Sequence, residues 1–218
     1  MNQKNSMTKN CEEEQTFVTL VDSSFANNEI DQYNYVFKKD FNERIIYIDS
    51  TIEPDTMITY TRQILYYNRE DRDIPEEERK PIKIFIYSDG GDVMAMWHFV
   101  DICQLSKTPI YTYNIGCAMS AGLTILVSGK KRYALANSTA LCHKGSFSGV
   151  MGDMAAVQAS INLGGNKIKK IFDFIIQKTK ITKKMIDKKT VTDWYIEGEE
   201  QLELGIVDEI ITNIDDLL

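Results

Sequence analysis

Ile82-Lys83-Ile84-Phe85-Ile86-Tyr87, followed by Ser88-Asp89-Gly90-Gly91 and then by Asp92-Val93, decides the fold class of this 218-residue chain. A β-branched and aromatic run closed by a glycine pair reads as a strand and a turn. Asp92 fits the N-cap of a helix whose Val93, Trp97, Val100 and Leu105 fall near one face. The same order recurs on both sides. Upstream, residues 45–48 are a short apolar run and residues 56–68, after Pro54, form a helix through Met57, Ile58, Ile64 and Leu65. Downstream, residues 110–115 make a third strand, 116–120 a small-residue turn and 121–127 a short apolar helix ended by Gly129. Successive strand–helix units predict an α/β domain with mostly parallel strands, whose chemistry gathers at the strand C-termini. Gly90-Gly91 and Ser120 both lie at such ends.

The connections are less regular. Ten of the twelve residues in 69–80 are charged and Pro75 interrupts them, which reads as an exposed connection. After a strand over 139–143, the stretch 145–152 is too glycine-rich for a regular core element. A long helix follows over about 153–178, with a kink expected at Gly164-Gly165. Nine lysines against Asp173 and Asp187 between 167 and 189 read as a solvated helix face. Residues 1–16 are polar without periodicity and read as a flexible N-terminal arm, residues 17–43 as a divergent N-terminal segment, and residues 44–218 as the main domain.

Composition narrows the function classes. With 43% hydrophobic and 26% charged residues the chain suits a soluble globular protein burying roughly 70% of its unfolded surface. A formal charge of -7 repels phosphate backbones and anionic lipid, so no nucleic-acid partner and no membrane partner are expected. No apolar leader or span is evident, and Cys11, Cys103, Cys117 and Cys142 form no CxxC pair, so reduced thiols in a cytoplasmic protein are expected.

Only two histidines, His98 and His143, are available for imidazole chemistry. His98 sits in an ordinary helical context. His143 ends a strand and opens the glycine-rich loop, which faces it either to a cleft or to polar surface. Ser120 lies in Gly116-Cys117-Ala118-Met119-Ser120-Ala121-Gly122 at a helix start. There it is either the helix cap or a nucleophile projected from a tight turn beside free backbone N–H groups. Cys117 and Cys142 are alternative nucleophiles that read better as buried thiols.

Taken together, the order of strand, Gly-Gly, helix, strand, GCAMSAG, helix and His-ended strand resembles the ClpP family, the proteolytic subunits of Clp proteases. The resemblance spans residues 44–210 and implies a ClpP/crotonase-like α/β spiral of repeated β-β-α units with a protruding handle helix at about 153–178. Ile115-Gly116-Cys117-Ala118-Met119-Ser120-Ala121 matches the family's serine turn, Thr139-Ala140-Leu141-Cys142-His143 its base, and Thr192-Asp193-Trp194-Tyr195 before Leu204-Gly205-Ile206-Val207-Asp208 its acid. Ser120, His143 and Asp193 are thereby implied as the catalytic set, with the backbone N–H groups of Gly91 and Ala121 as oxyanion hole. The chemistry agrees, since serine needs a base to take its proton and the base a carboxylate to fix its tautomer.

The resemblance further implies a serine endopeptidase acting on unfolded polypeptides or peptides through an acyl-enzyme, with no metal and no cofactor. Its implied partners are polypeptide substrates, copies of itself in two stacked heptameric rings, a tetradecamer, and an AAA+ ATPase unfoldase. Three alternatives stay open: a phage or mobile-element processing protease without an ATPase, a catalytically silent ring subunit, and acyl-CoA chemistry on the shared fold. The chain departs from the family at Asp89, where proline is usual, and at Lys144, where Gln-Pro follows the histidine.

Overall fold

The computed structural model describes residues 32–146 and 151–217. The expected arm 1–16, most of the segment 17–43 and the loop tip 147–150 lie outside them. Helix α1 (Gln32–Glu43) belongs to a unit of its own, and the unit from Arg44 onward carries everything that follows.

That unit runs β1 (Ile45–Ile48), α2 (Pro54–Glu70), β2 (Ile82–Ser88), α3 (Val93–Leu105), β3 (Ile110–Met119), α4 (Ala121–Leu126), β4 (Lys131–Leu135) and β5 (Thr139–Cys142). After these come α5 (Met154–Lys178), α6 (Lys183–Lys189), β6 (Trp194–Glu197), α7 (Gly198–Glu203) and β7 (Glu209–Ile211). The sheet order is β1-β2-β3-β4-β7 with all neighbours parallel, while β5 runs parallel to β3 and pairs antiparallel with β6. The expected parallel α/β architecture is what the chain adopts.

Alternation along β2 shows why. Ile82, Ile84 and Ile86 are fully buried on one face, each such side chain worth about 1.5–3 kcal/mol. On the other face Phe85 joins an aromatic row, with ring centroids 5.1 Å from Tyr47 and 4.8 Å from Tyr113, and Tyr113 stacks on Tyr133 at 4.7 Å. A strand apolar on both faces belongs inside a sheet.

Two local expectations need correction. Residues 116–119 are not a turn: β3 continues to Met119, because Ser88 pairs with Ala118 on one side and Cys117–Met119 pair with 139–141 on the other. Small residues are demanded there by packing, since a Cβ on Gly116 would lie 2.4 Å from the Tyr87 ring. The charged stretch 69–80 is likewise not wholly exposed. Asp71 is 1% exposed and takes two 2.6 Å hydrogen bonds from Arg44 and one of 2.7 Å from the Thr108 hydroxyl, while Arg79 is buried and its Nε donates to the Ile74 carbonyl.

The Arg44 guanidinium, helped by the Thr108 hydroxyl, holds the Asp71 carboxyl below the usual carboxylate range against the opposing effect of burial. A depressed folded-state pKa contributes stability that is fully present above the unfolded value of about 3.9 and is lost progressively as pH falls through the lower folded-state value. Asp71→Ala leaves Arg44 without its partner and is expected to cost about 3 kcal/mol at pH 7. Thermal unfolding from pH 7 to pH 3 checks this: the gap between wild type and variant should begin to narrow below about pH 4 and keep narrowing towards pH 3.

Candidate active site

The C-terminal ends of β2, β3 and β5 converge, and each brings one part of the site. After β2, Gly90 and Gly91 take φ of +103° and +151°, backbone that side chains rarely adopt. The pair is clamped to residue 52: the Ile52 N–H donates to the Gly90 carbonyl and the Asp92 N–H to the Ile52 carbonyl, both at 2.8 Å. In such a parallel bridge the intervening residue turns its own N–H away from the clamp. Asp92 caps α3 as expected, accepting from the Ala95 N–H at 2.7 Å.

After β3 the chain turns into α4 through a single residue. Ser120 has φ 54° and ψ −115°, a sparsely populated conformation for a non-glycine residue. Its N–H is spent on the Leu141 carbonyl at 2.9 Å, which ties the turn to β5. The helix-cap reading of Ser120 fails, because its side chain makes no cap hydrogen bond. Its Oγ lies instead 2.8 Å from His143 Nε2. Next in the chain, the Ala121 N–H opens α4, where the first amides have no acceptor within the helix.

Asp193 comes to this place by register. Cys142 pairs with Trp194 across the antiparallel β5–β6 ladder, so one step further His143 faces Asp193. The separation is 3.4 Å from His143 Nδ1 to Asp193 Oδ1, with His143 23% and Asp193 53% exposed. For His143 Nε2 to accept the Ser120 hydroxyl proton, the imidazole proton must sit on Nδ1, the nitrogen that points to Asp193.

The other candidates fall away. His98 Nε2 is 3.1 Å from the Thr61 hydroxyl, a link between α2 and α3. Burial pushes the Cys142 thiol up to about 12, which removes it as a thiolate near neutral pH. Cys117, expected to be buried, is only partly so; desolvation and then the nearby Asp89 carboxylate raise its pKa and keep it a thiol.

Comparison with known proteins gives the family. Residues 27–214 match the Clp protease family. The chain belongs to the Clp protease family. It is also 29% identical over 202 residues, 89% of its own length and 94% of the relative's, to an ATP-dependent Clp protease proteolytic subunit from Dehalococcoides mccartyi.

In this Clp protease family member, Ser120 and His143 open into a cleft of about 460 Å³. One wall carries Asp89, Gly91 and Val93, and the other is the α5 face bearing Ser160, Gly164 and Lys167. The apolar periodicity gave no sign of that face at Gly164-Gly165, and α5 is continuous through the pair. Small residues at 160 and 164, one turn apart, were the available signal for a helix face lining a groove. Among the described residues no helix is long and apolar enough to cross a membrane.

Proposed function

We propose that the chain is a serine endopeptidase that hydrolyses unfolded polypeptides through an acyl-enzyme. The observation that carries this reading is the 2.8 Å contact between Ser120 Oγ and His143 Nε2, with Ser120 held on a strained strand-to-helix turn and spared from capping duty. Such turns project a hydroxyl clear of its own backbone.

The steps follow from that contact. His143 Nε2 takes the Ser120 hydroxyl proton as Oγ attacks the scissile carbonyl carbon, and Asp193 stabilises the imidazolium that forms. Negative charge develops on the carbonyl oxygen, where the Gly91 and Ala121 N–H groups donate to it. The tetrahedral intermediate collapses as His143 returns its proton to the leaving amine, breaking the C–N bond. Water then attacks the ester in the same way, restoring Ser120 and releasing the acid. Beside Ser120 a small recess lined by Leu123, Leu141 and Phe172 accepts an apolar side chain next to the scissile bond.

We further propose stacked rings of heptamers, a tetradecamer, served by an ATPase unfoldase. The relative's name states ATP dependence. Helix α5 supports assembly: only Ile175 is buried, while Met154, Ile161 and Leu163 are exposed apolar residues suited to a handle packed on a neighbouring copy. Light scattering on size-separated protein, with each fraction assayed on an unfolded polypeptide, tests the reading. Activity should travel with an oligomer. A monomer at all micromolar concentrations, or an oligomer that leaves the polypeptide intact, contradicts it.

A further inference from the structure

We propose that Asp89 determines substrate specificity: its carboxylate favours polypeptides that carry a lysine or arginine close to the bond cleaved at Ser120. The inference rests on the peptidase reading above and adds the substrate class. Asp89 is exposed, sits between β2 and the Gly90-Gly91 pair, and lines the same cleft as Ser120 and His143. Among the described residues it is the only acidic side chain lining that cleft, and the only lysine or arginine there is Lys167 on the opposite, α5 wall.

Neither Asp89 nor Lys167 enters an ion pair among the described residues. The polar contact Asp89 does make is with a neutral partner, Cys117 Sγ at 3.9 Å. The raised thiol pKa keeps Cys117 uncharged, so it neither cancels nor adds to the carboxylate's charge. Two nearby carboxylates are otherwise engaged, Asp92 at its helix cap and Asp193 against His143. An unpaired carboxylate on the wall of a polypeptide cleft attracts cationic side chains and disfavours anionic ones. Lys167, which also lines the cleft, opposes this field, and whichever charge lies nearer the scanned position sets the preference there.

The test uses internally quenched peptides that share one apolar residue at the cleavage point and differ at a single position as Lys, Gln or Glu, scanned along both sides of the bond. Wild type should cleave at one position in the order Lys, Gln, Glu, with kcat/KM spread by about fivefold between Lys and Glu, the range of a solvent-exposed ion pair. The spread should shrink at about 0.5 M salt. Asp89→Asn should close the spread and Asp89→Lys should invert it. Equal rates for the three peptides at every position overturn the proposal, as does a preference that follows Lys167→Met instead of Asp89→Asn. If none of the peptides is cleaved, the peptidase reading fails separately. Binding of the same peptides to wild type, by fluorescence anisotropy, then still reads the charge preference, and equal or absent binding overturns the role of Asp89.

Discussion

Ser120→Ala is expected to lower peptide hydrolysis by about a millionfold, to background, while the protein folds and unfolds as wild type does. Ser120 Oγ is hydrogen-bonded to His143 and makes no cap bond at the helix start, so its loss removes the proposed nucleophile without removing a helix cap. Alanine meets the strained φ and ψ of residue 120 on the same terms as serine, since both carry a Cβ. His143→Ala should give nearly the same loss, and the double variant no more than either alone, because the groups act on one proton transfer. Asp193→Asn should cost less, about a hundredfold, since a half-exposed carboxylate 3.4 Å from the imidazole holds it less firmly than a buried one in close contact would. Rates on a quenched peptide, with thermal unfolding of each variant, check the set. Appreciable activity in Ser120→Ala would remove the residue from the chemistry.

The second large effect is expected from Gly91→Ala, a single methyl group. Its Cβ would lie 2.3 Å from the Ile52 carbonyl oxygen and 2.7 Å from the Ile52 nitrogen, both backbone atoms of the clamping segment. No rotamer relieves that overlap, and φ of +151° adds strain for any side chain. Either the two 2.8 Å bonds to Ile52 break or the turn shifts by about an ångström. A shift of that size at a group that binds the developing oxyanion typically costs about a hundredfold in rate. The expected result is kcat reduced by at least that factor together with a lowered Tm, whereas Ser120→Ala changes rate alone. A Gly91→Ala protein with unchanged kcat would show that the Gly91 amide takes no part.

How much of this was legible depends on the range of the interactions involved. The strands at 45–48 and 82–88 and the Asp92 cap are written locally, in apolar runs and in a carboxylate three residues before the amide it caps. With only two histidines in the chain, His143 was one of two candidates, and its place at a strand end left both cleft and polar surface open. Asp193 was reached through the family resemblance alone, since the antiparallel step from Cys142–Trp194 that sets it opposite His143 is visible only in the structure. What escaped depended on distant partners. Residues 116–119 look like a turn by composition and become strand because β2 and β5 flank them. Asp71 looks exposed within a charged run and is buried by Arg44, 27 positions earlier, and Thr108, 37 later. The cleft itself joins Asp89 on the sheet side to Lys167 on α5, and no local pattern in either segment announces the other.

The central claim is that Ser120 is an activated nucleophile, and active-site labelling reads it directly. Native protein is treated with a fluorophosphonate, digested and mapped by mass spectrometry, beside Ser120→Ala and His143→Ala proteins treated alike. The account predicts stoichiometric modification at Ser120 in the wild type, none at that position in Ser120→Ala, and a reaction slowed by several orders of magnitude in His143→Ala. An unmodified Ser120 in every oligomeric state of the wild type, or labelling that persists undiminished without His143, would contradict it.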